Sequence, residues 1–208
     1  MVITKKSTEE LISDSYVKKN GSNGEKHNQH EPKWCAAKGP YPEVRVERLQ
    51  PYYARLLMED HAGLVSELSA ITQYLYHHHL LESKYPDVAD LLECIAVVEM
   101  THMELLGTAI VKLGGKPKYS SPKFFFNKWW QGSFVYYGCK ICDMLDMDIK
   151  SEYDAIAQYK KHIQKIDDSY IKQLLNRIIR DEEHHIKLLK EKKEKYCDDE
   201  MLMEPEIF

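Results

Sequence analysis

From Pro51 onward the apolar residues recur with a helical period, and before it they do not. Leu64, Leu68, Ile71 and Leu75 share one face of a helix that the spacing predicts over about 51–82. The stretch "SKYPDVADLL" then supplies a turn and a proline at a first helical position, and a second helix runs to the Gly114-Gly115 stop. A third helix is predicted from about Gly138 to Lys165, and "DDS" at 167–169 offers capping residues for a fourth that reaches about Tyr196. No segment has the pattern of a sheet. Between helices two and three lie 22 residues, Lys116 to Tyr137, and nine residues in Tyr119 to Tyr137 are aromatic. A helix of about 27 residues is roughly 40 Å long, and about 12 extended residues cover that length. The linker can therefore return along the bundle, giving an all-α fold ordered hairpin, long crossover, hairpin.

Residues 1–50 are polar and broken by "NGSNGEKHNQHEP" and by Pro32, Pro40 and Pro42. They are expected to form an irregular arm, mobile or wrapping the surface, without chemistry of its own. The bundle occupies 51–197, and an acidic tail follows at 198–208. Charged residues make up 30% of the chain, with a net charge of −4 and the lysines scattered or paired with glutamates, so nucleic-acid binding is not expected. The N-terminus lacks the apolar core of a signal peptide, and no run approaches the roughly 18 apolar residues of a membrane span. A cytoplasmic protein without a membrane partner is expected. Five cysteines, an odd number in a chain of this size, fit reduced thiols better than a disulfide framework.

The chemistry begins with "VVEMTHMELLG", where Glu99 and His102 stand three residues apart beside Ile95 and Leu106. Glu-x-x-His recurs at Glu182 and His185, with Leu175, Ile178, Ile186 and Leu189 marking the apolar side. Upstream of each copy stands a glutamate on an apolar face, followed seven residues later by tyrosine: Glu67 with Tyr74, and Glu152 with Tyr159. The separations agree, 32 residues from Glu67 to Glu99 and 30 from Glu152 to Glu182. This is an approximate duplication of helical hairpins. Four carboxylates and two imidazoles inside a bundle are intolerable as free charges, since an unpaired buried ion costs several kcal/mol. Two divalent cations balance four carboxylates, and a mixed carboxylate and imidazole set suits iron, manganese or zinc better than copper(I) or calcium.

These residues resemble the ferritin-like di-iron and di-manganese carboxylate superfamily, which includes bacterioferritin, rubrerythrin and manganese catalase, over about residues 51–196. The resemblance implies two iron or manganese ions per chain, with Glu67 and Glu152 as terminal ligands, Glu99 and Glu182 as bridges and His102 and His185 as imidazole ligands. It also implies that Glu182 can act as a catalytic proton-transfer group beside the metals, as in manganese catalase, and that Tyr74 and Tyr159 hydrogen-bond ligand carboxylates.

Two features depart from rubrerythrin. Only Cys139 and Cys142 form a Cys-x-x-Cys pair, so a rubredoxin-type module is not expected, and the positions one turn from Glu152 are read as Ile149 and Ala155 rather than an added carboxylate. Cys139 and Cys142, near a helix start, are either small hydrophobes or a redox pair. The expected function is a redox enzyme acting on hydrogen peroxide or dioxygen, as a homo-oligomer served by an unidentified electron donor. The alternative is iron storage or sequestration in a ferritin-like shell.

Overall fold

The computed structural model describes residues 34–123 and 126–197. The first part of the arm and the 198–208 tail lie outside the described residues. Five helices carry the fold: α1 (Pro51–Ala62), α2 (Glu67–Leu81), α3 (Pro86–Lys112), α4 (Ile141–Lys165) and α5 (Ser169–Cys197). α1 and α2 together form the first rod of a four-helix bundle. α2 packs on α3 and α4 on α5, and the long crossover joins the two hairpins.

Each boundary has a local cause. Pro51 and Pro86 sit in the first turns of α1 and α3, where a missing N–H costs nothing. At the end of α3, Gly114 has φ +88°, its N–H donates to the Val111 carbonyl, and the Gly115 N–H donates to the Ile110 carbonyl. That is a Schellman ending, for which the left-handed position favours glycine. Asp168 starts α5 by accepting from the N–H groups of Tyr170 and Ile171, each at 3.1 Å.

Three expectations are corrected here. The first helix is not continuous over 51–82: the helix breaks at Gly63, where a Cβ would lie 2.5 Å from the Glu59 carbonyl oxygen, and Ser66 caps a new helix through the Ser69 N–H. Leu64 is consequently 62% exposed rather than on the core face. The crossover also holds a two-stranded antiparallel hairpin, β1 (Ser120–Lys123) with β2 (Phe126–Trp129), which packs on α1. Finally, Cys35–Cys94 and Cys142–Cys197 are disulfides and Cys139 is the free cysteine, so neither an all-thiol chain nor a Cys139–Cys142 pair is present. The partners are 59 and 55 residues apart in sequence and meet only through the fold, which local spacing cannot reveal.

By length and mean hydropathy α3 is apolar enough to cross a membrane, a property that the count of uninterrupted apolar residues missed. In the bundle half of that apolar window is buried against other elements, and it carries Glu99 and His102 inward. Two apolar clusters fill the interior, one including Leu57, Leu106, Ile156 and Ile178, the other Leu92, Ile95, Leu145 and Ile149. Along α4, Glu152 lies between Ile149 of one cluster and Ile156 of the other. Along α3, Glu99 and His102 lie likewise between Ile95 and Leu106. The interior is therefore layered, apolar at both ends and polar in the middle.

Candidate metal centre

All six residues of the duplicated pattern meet in the polar layer. Glu67, Glu99, Glu152 and Glu182 are each at most 3% exposed and the two imidazoles are fully buried, so bulk water cannot stabilise their charges. The i, i+3 spacing sets acid and imidazole side by side on α3 and again on α5. The His102 Nδ1 lies 2.9 Å from Glu99, 3.4 Å from Glu182 and 3.6 Å from Glu67. The His185 Nδ1 lies 3.1 Å from Glu99, 3.1 Å from Glu182 and 3.4 Å from Glu152. Two groups of four donors result, Glu67, Glu99, His102 and Glu182 in one, Glu99, Glu152, Glu182 and His185 in the other. Glu99 and Glu182 belong to both groups.

Hydrogen bonding tests whether metal suits these residues. Glu99 Oε1, both Glu182 oxygens and both His185 nitrogens have no hydrogen-bond partner, although they crowd one another. Donors that approach to about 3 Å without hydrogen-bond alignment have lone pairs converging on common points, and leaving them unpaired costs several kcal/mol. Two divalent cations would take up the carboxylate oxygens and the His185 Nδ1, the nitrogen that faces Glu99, Glu152 and Glu182, with ligand types that iron and manganese accept.

Without metal the site must hold protons instead. Burial, then repulsion from Glu99, lifts Glu67 well above the carboxylate range. Burial, then the charges of Glu99 and Glu182, pushes Glu152 up to about 8. For Glu99 burial acts upward too, but hydrogen bonding to Glu67 and the His102 charge outweigh it and hold the group ionised. Burial would lower both imidazoles, yet Glu182 and Glu99 raise His102 and Glu152 raises His185. Metal binding must expel these protons.

Further groups hold the ligands in place. Asp181 Oδ2 faces the His102 Nε2 at 2.9 Å, which assigns a proton to that nitrogen and leaves Nδ1 toward the carboxylates. Tyr41, from the segment expected to carry no chemistry, donates to Asp181 at 2.6 Å and lies 3.3 Å from the same His102 nitrogen. The Arg177 guanidinium covers the Tyr41 ring at 4.3 Å and pairs with Asp181 at 2.7 Å. Tyr74 donates to Glu152, whereas Tyr159 is buried in the apolar cluster with Ile156. One turn before Glu152 stands Asp148, fully buried, so a carboxylate does flank Glu152, contrary to the expectation of Ile149 and Ala155 there. Asp148 accepts from Gln73 at 2.8 Å and pairs with His77 at 2.9 Å. His77, near the end of α2, is thus an interior residue. Asp181 and Asp148 could have been found at i−4 from His185 and Glu152. No periodic signal marks Tyr41.

A cavity of about 340 Å³ lies among α2, α4 and the end of the crossover and reaches Glu67, Glu99, Glu152 and Glu182.

The comparisons with known proteins agree with this architecture. Residues 61–196 match the ferritin-like domain family. A bacterioferritin of Brucella melitensis is 31% identical over 61% of this chain and 75% of its own length, and one of Mycobacterium leprae is 31% identical over 67% and 82%. Among solved structures, a manganese catalase from Anabaena superposes with a TM-score of 0.72 at 22% identity, covering 82% of this chain and 84% of that one. The Mycobacterium tuberculosis bacterioferritin superposes with a TM-score of 0.58 at 28% identity, over 71% and 87%. With the matched region covering most of the bundle and containing all six clustered residues, the chain belongs to the ferritin-like domain family.

Proposed function

We propose that the chain is an oxidoreductase with two iron or manganese ions in the Glu67, Glu99, His102, Glu152, Glu182 and His185 core, acting on hydrogen peroxide or dioxygen. The observation that carries this reading is the set of unpartnered donor atoms on Glu99, Glu182 and His185, beside a cavity that reaches the same carboxylates. When bound, the two ions supply one-electron oxidation changes and a Lewis-acid platform for the oxidant. The remaining work belongs to the protein. Glu182 offers two oxygens without hydrogen-bond partners and is the group assigned to proton transfer. Tyr74 fixes the orientation of Glu152, and Asp181 with Tyr41 fixes His102. The apolar clusters on both sides of the core keep bulk water from these groups. A homo-oligomer served by a separate electron donor completes the reading. The test is metal analysis of reconstituted full-length protein with peroxide and oxygen consumption: turnover that depends on bound iron or manganese is expected, and metal-loaded protein that leaves both oxidants untouched would refute it.

Iron storage is the second reading, favoured by the bacterioferritins among the relatives. There iron is cargo and many subunits must close a shell. Light scattering separates the two, since a hollow multimer far exceeds a small oligomer, and iron retained in large excess over two ions per chain would favour storage.

A further inference from the structure

We infer that the cavity beside the di-metal core is a binding site for an organic hydroperoxide, with the carbon group in the cavity and the O–O end at the carboxylate floor. This rests on the oxidant-reducing function proposed above and narrows its substrate class.

Size is the first argument. At about 340 Å³ the cavity is more than twice the roughly 150 Å³ that accommodates benzene, and it lies within the range of small-molecule sites, about 300 to 1,000 Å³. Hydrogen peroxide, with two heavy atoms, needs far less.

The second argument is the chemistry of the walls. Val65, Ala70, Phe134, Val135, Met147 and Ala155 line them. The polar side chains among them are already engaged with the protein. Ser66 and Ser69 donate to the Gly63 carbonyl at 2.9 and 3.1 Å, and Ser69 also accepts from the Trp130 indole at 3.0 Å. Gln73 donates to Asp148 at 2.8 Å and accepts from the Tyr136 N–H at 3.0 Å, while Ser151 donates to the Met147 carbonyl at 2.9 Å. Lys150 and Asp154 pair with each other on the partly exposed surface of α4. Among the buried side-chain atoms of the described lining, those without a hydrogen-bond partner are on Glu99 and Glu182, at the floor where the proposed metal core lies. A wall that spends its hydrogen bonds internally, above a floor that does not, matches a molecule with an apolar body and one polar end.

The helix break creates the space. The first rod is interrupted at Gly63, and Leu64, Val65 and Ser66 of the break form part of the lining. A continuous helix would not present these residues there.

The reaction balances simply. The hydroperoxide takes up two electrons and two protons, its O–O bond breaks, and one alcohol and one water leave. A one-electron donor acts twice to supply the electrons.

The test uses full-length metal-reconstituted protein with ascorbate as donor. Cumene hydroperoxide and hydrogen peroxide are compared as substrates, and the unreactive product alcohol, 2-phenylpropan-2-ol, is used as a binding probe. The alcohol's ring protons are expected to show NMR contacts to the Met147 methyl group. Ala155→Phe, which fills the cavity, is expected to lower kcat/KM for cumene hydroperoxide at least about tenfold and to change that for hydrogen peroxide less than about twofold. Leu64→Trp at the exposed break gives the same direction without touching the core. Hydrogen peroxide turnover with neither cumene hydroperoxide turnover nor alcohol contacts overturns this inference and leaves the proposed function standing. If the alcohol binds at Met147 and neither peroxide is consumed, the proposed function fails and the hydroperoxide assignment with it. Equal losses for both peroxides in both variants also overturn the assignment.

Discussion

The contact between α1 and α4 and the polar layer both bury acids against imidazoles, and of these two only the first closes on itself. Where α1 meets α4, Asp60 pairs with His162 at 2.8 Å and accepts from Gln158 at 2.8 Å, and Glu59 approaches the other His162 nitrogen at 3.5 Å. Both Asp60 oxygens have partners. In the polar layer four glutamates face two imidazoles, and Glu99, Glu182 and His185 keep atoms with no hydrogen-bond partner. The same residue types are a strut in one place and a ligand set in the other. What separates them is whether the hydrogen bonds close, because an unpaired buried polar group is sustained only by something that binds it.

The contrast can be broken at either end. The largest stability effect comes from stripping metal: at a concentration 1,000 times Kd, a ligand stabilises the fold by about 4 kcal/mol, and chelation is expected to lower Tm accordingly in calorimetry. Asp60→Ala strands the His162 charge and is expected to cost about 3 kcal/mol in chemical denaturation, with metal stoichiometry unchanged. If that variant also loses its metal, the two regions are not independent.

The strut is also expected to respond to pH. Burial would lower His162, but hydrogen bonds to Asp60 and Glu59 outweigh it and lift the imidazole to about 9. Its unfolded value is about 6.5. Its stabilisation is therefore complete below about pH 6.5 and is lost as pH rises through about 9, leaving Asp60 uncompensated. The expected loss is about 3 kcal/mol between pH 6.5 and pH 10, and His162→Gln should flatten that part of the stability curve. The smallest effect is at Tyr41. Tyr41→Phe removes the hydroxyl that holds Asp181 against His102, and about tenfold weaker metal binding is expected in competition with a chelator, with little change in fold.

Much of the centre was legible in the sequence because the helix carries its own geometry. Glu99 with His102 and Glu182 with His185 each occupy one face by spacing alone, and the matching separations to Glu67 and Glu152 identified the duplication. Proline marked the starts of α1 and α3, and glycine the end of α3, for the same local reasons. What escaped was set by tertiary contact. Tyr41 reaches His102 from an irregular segment, and no period connects positions 61 residues apart. Cys35 and Cys94, 59 residues apart, are brought together by the fold and not by local spacing. The break at Gly63 was hidden because Leu64 and Leu68 continue an apolar rhythm that the backbone does not follow. Asp148 and Asp181 stand one helical turn from Glu152 and His185, so the helical period alone places them on the same faces.

The most direct measurement is elemental analysis of the reconstituted protein beside its Glu99→Ala/His102→Ala variant. Two iron or manganese ions per chain in the parent, and loss of both in the variant, are predicted, since Glu99 belongs to both donor groups. Full metal occupancy retained in the double variant would contradict the assignment of this layer as the metal centre.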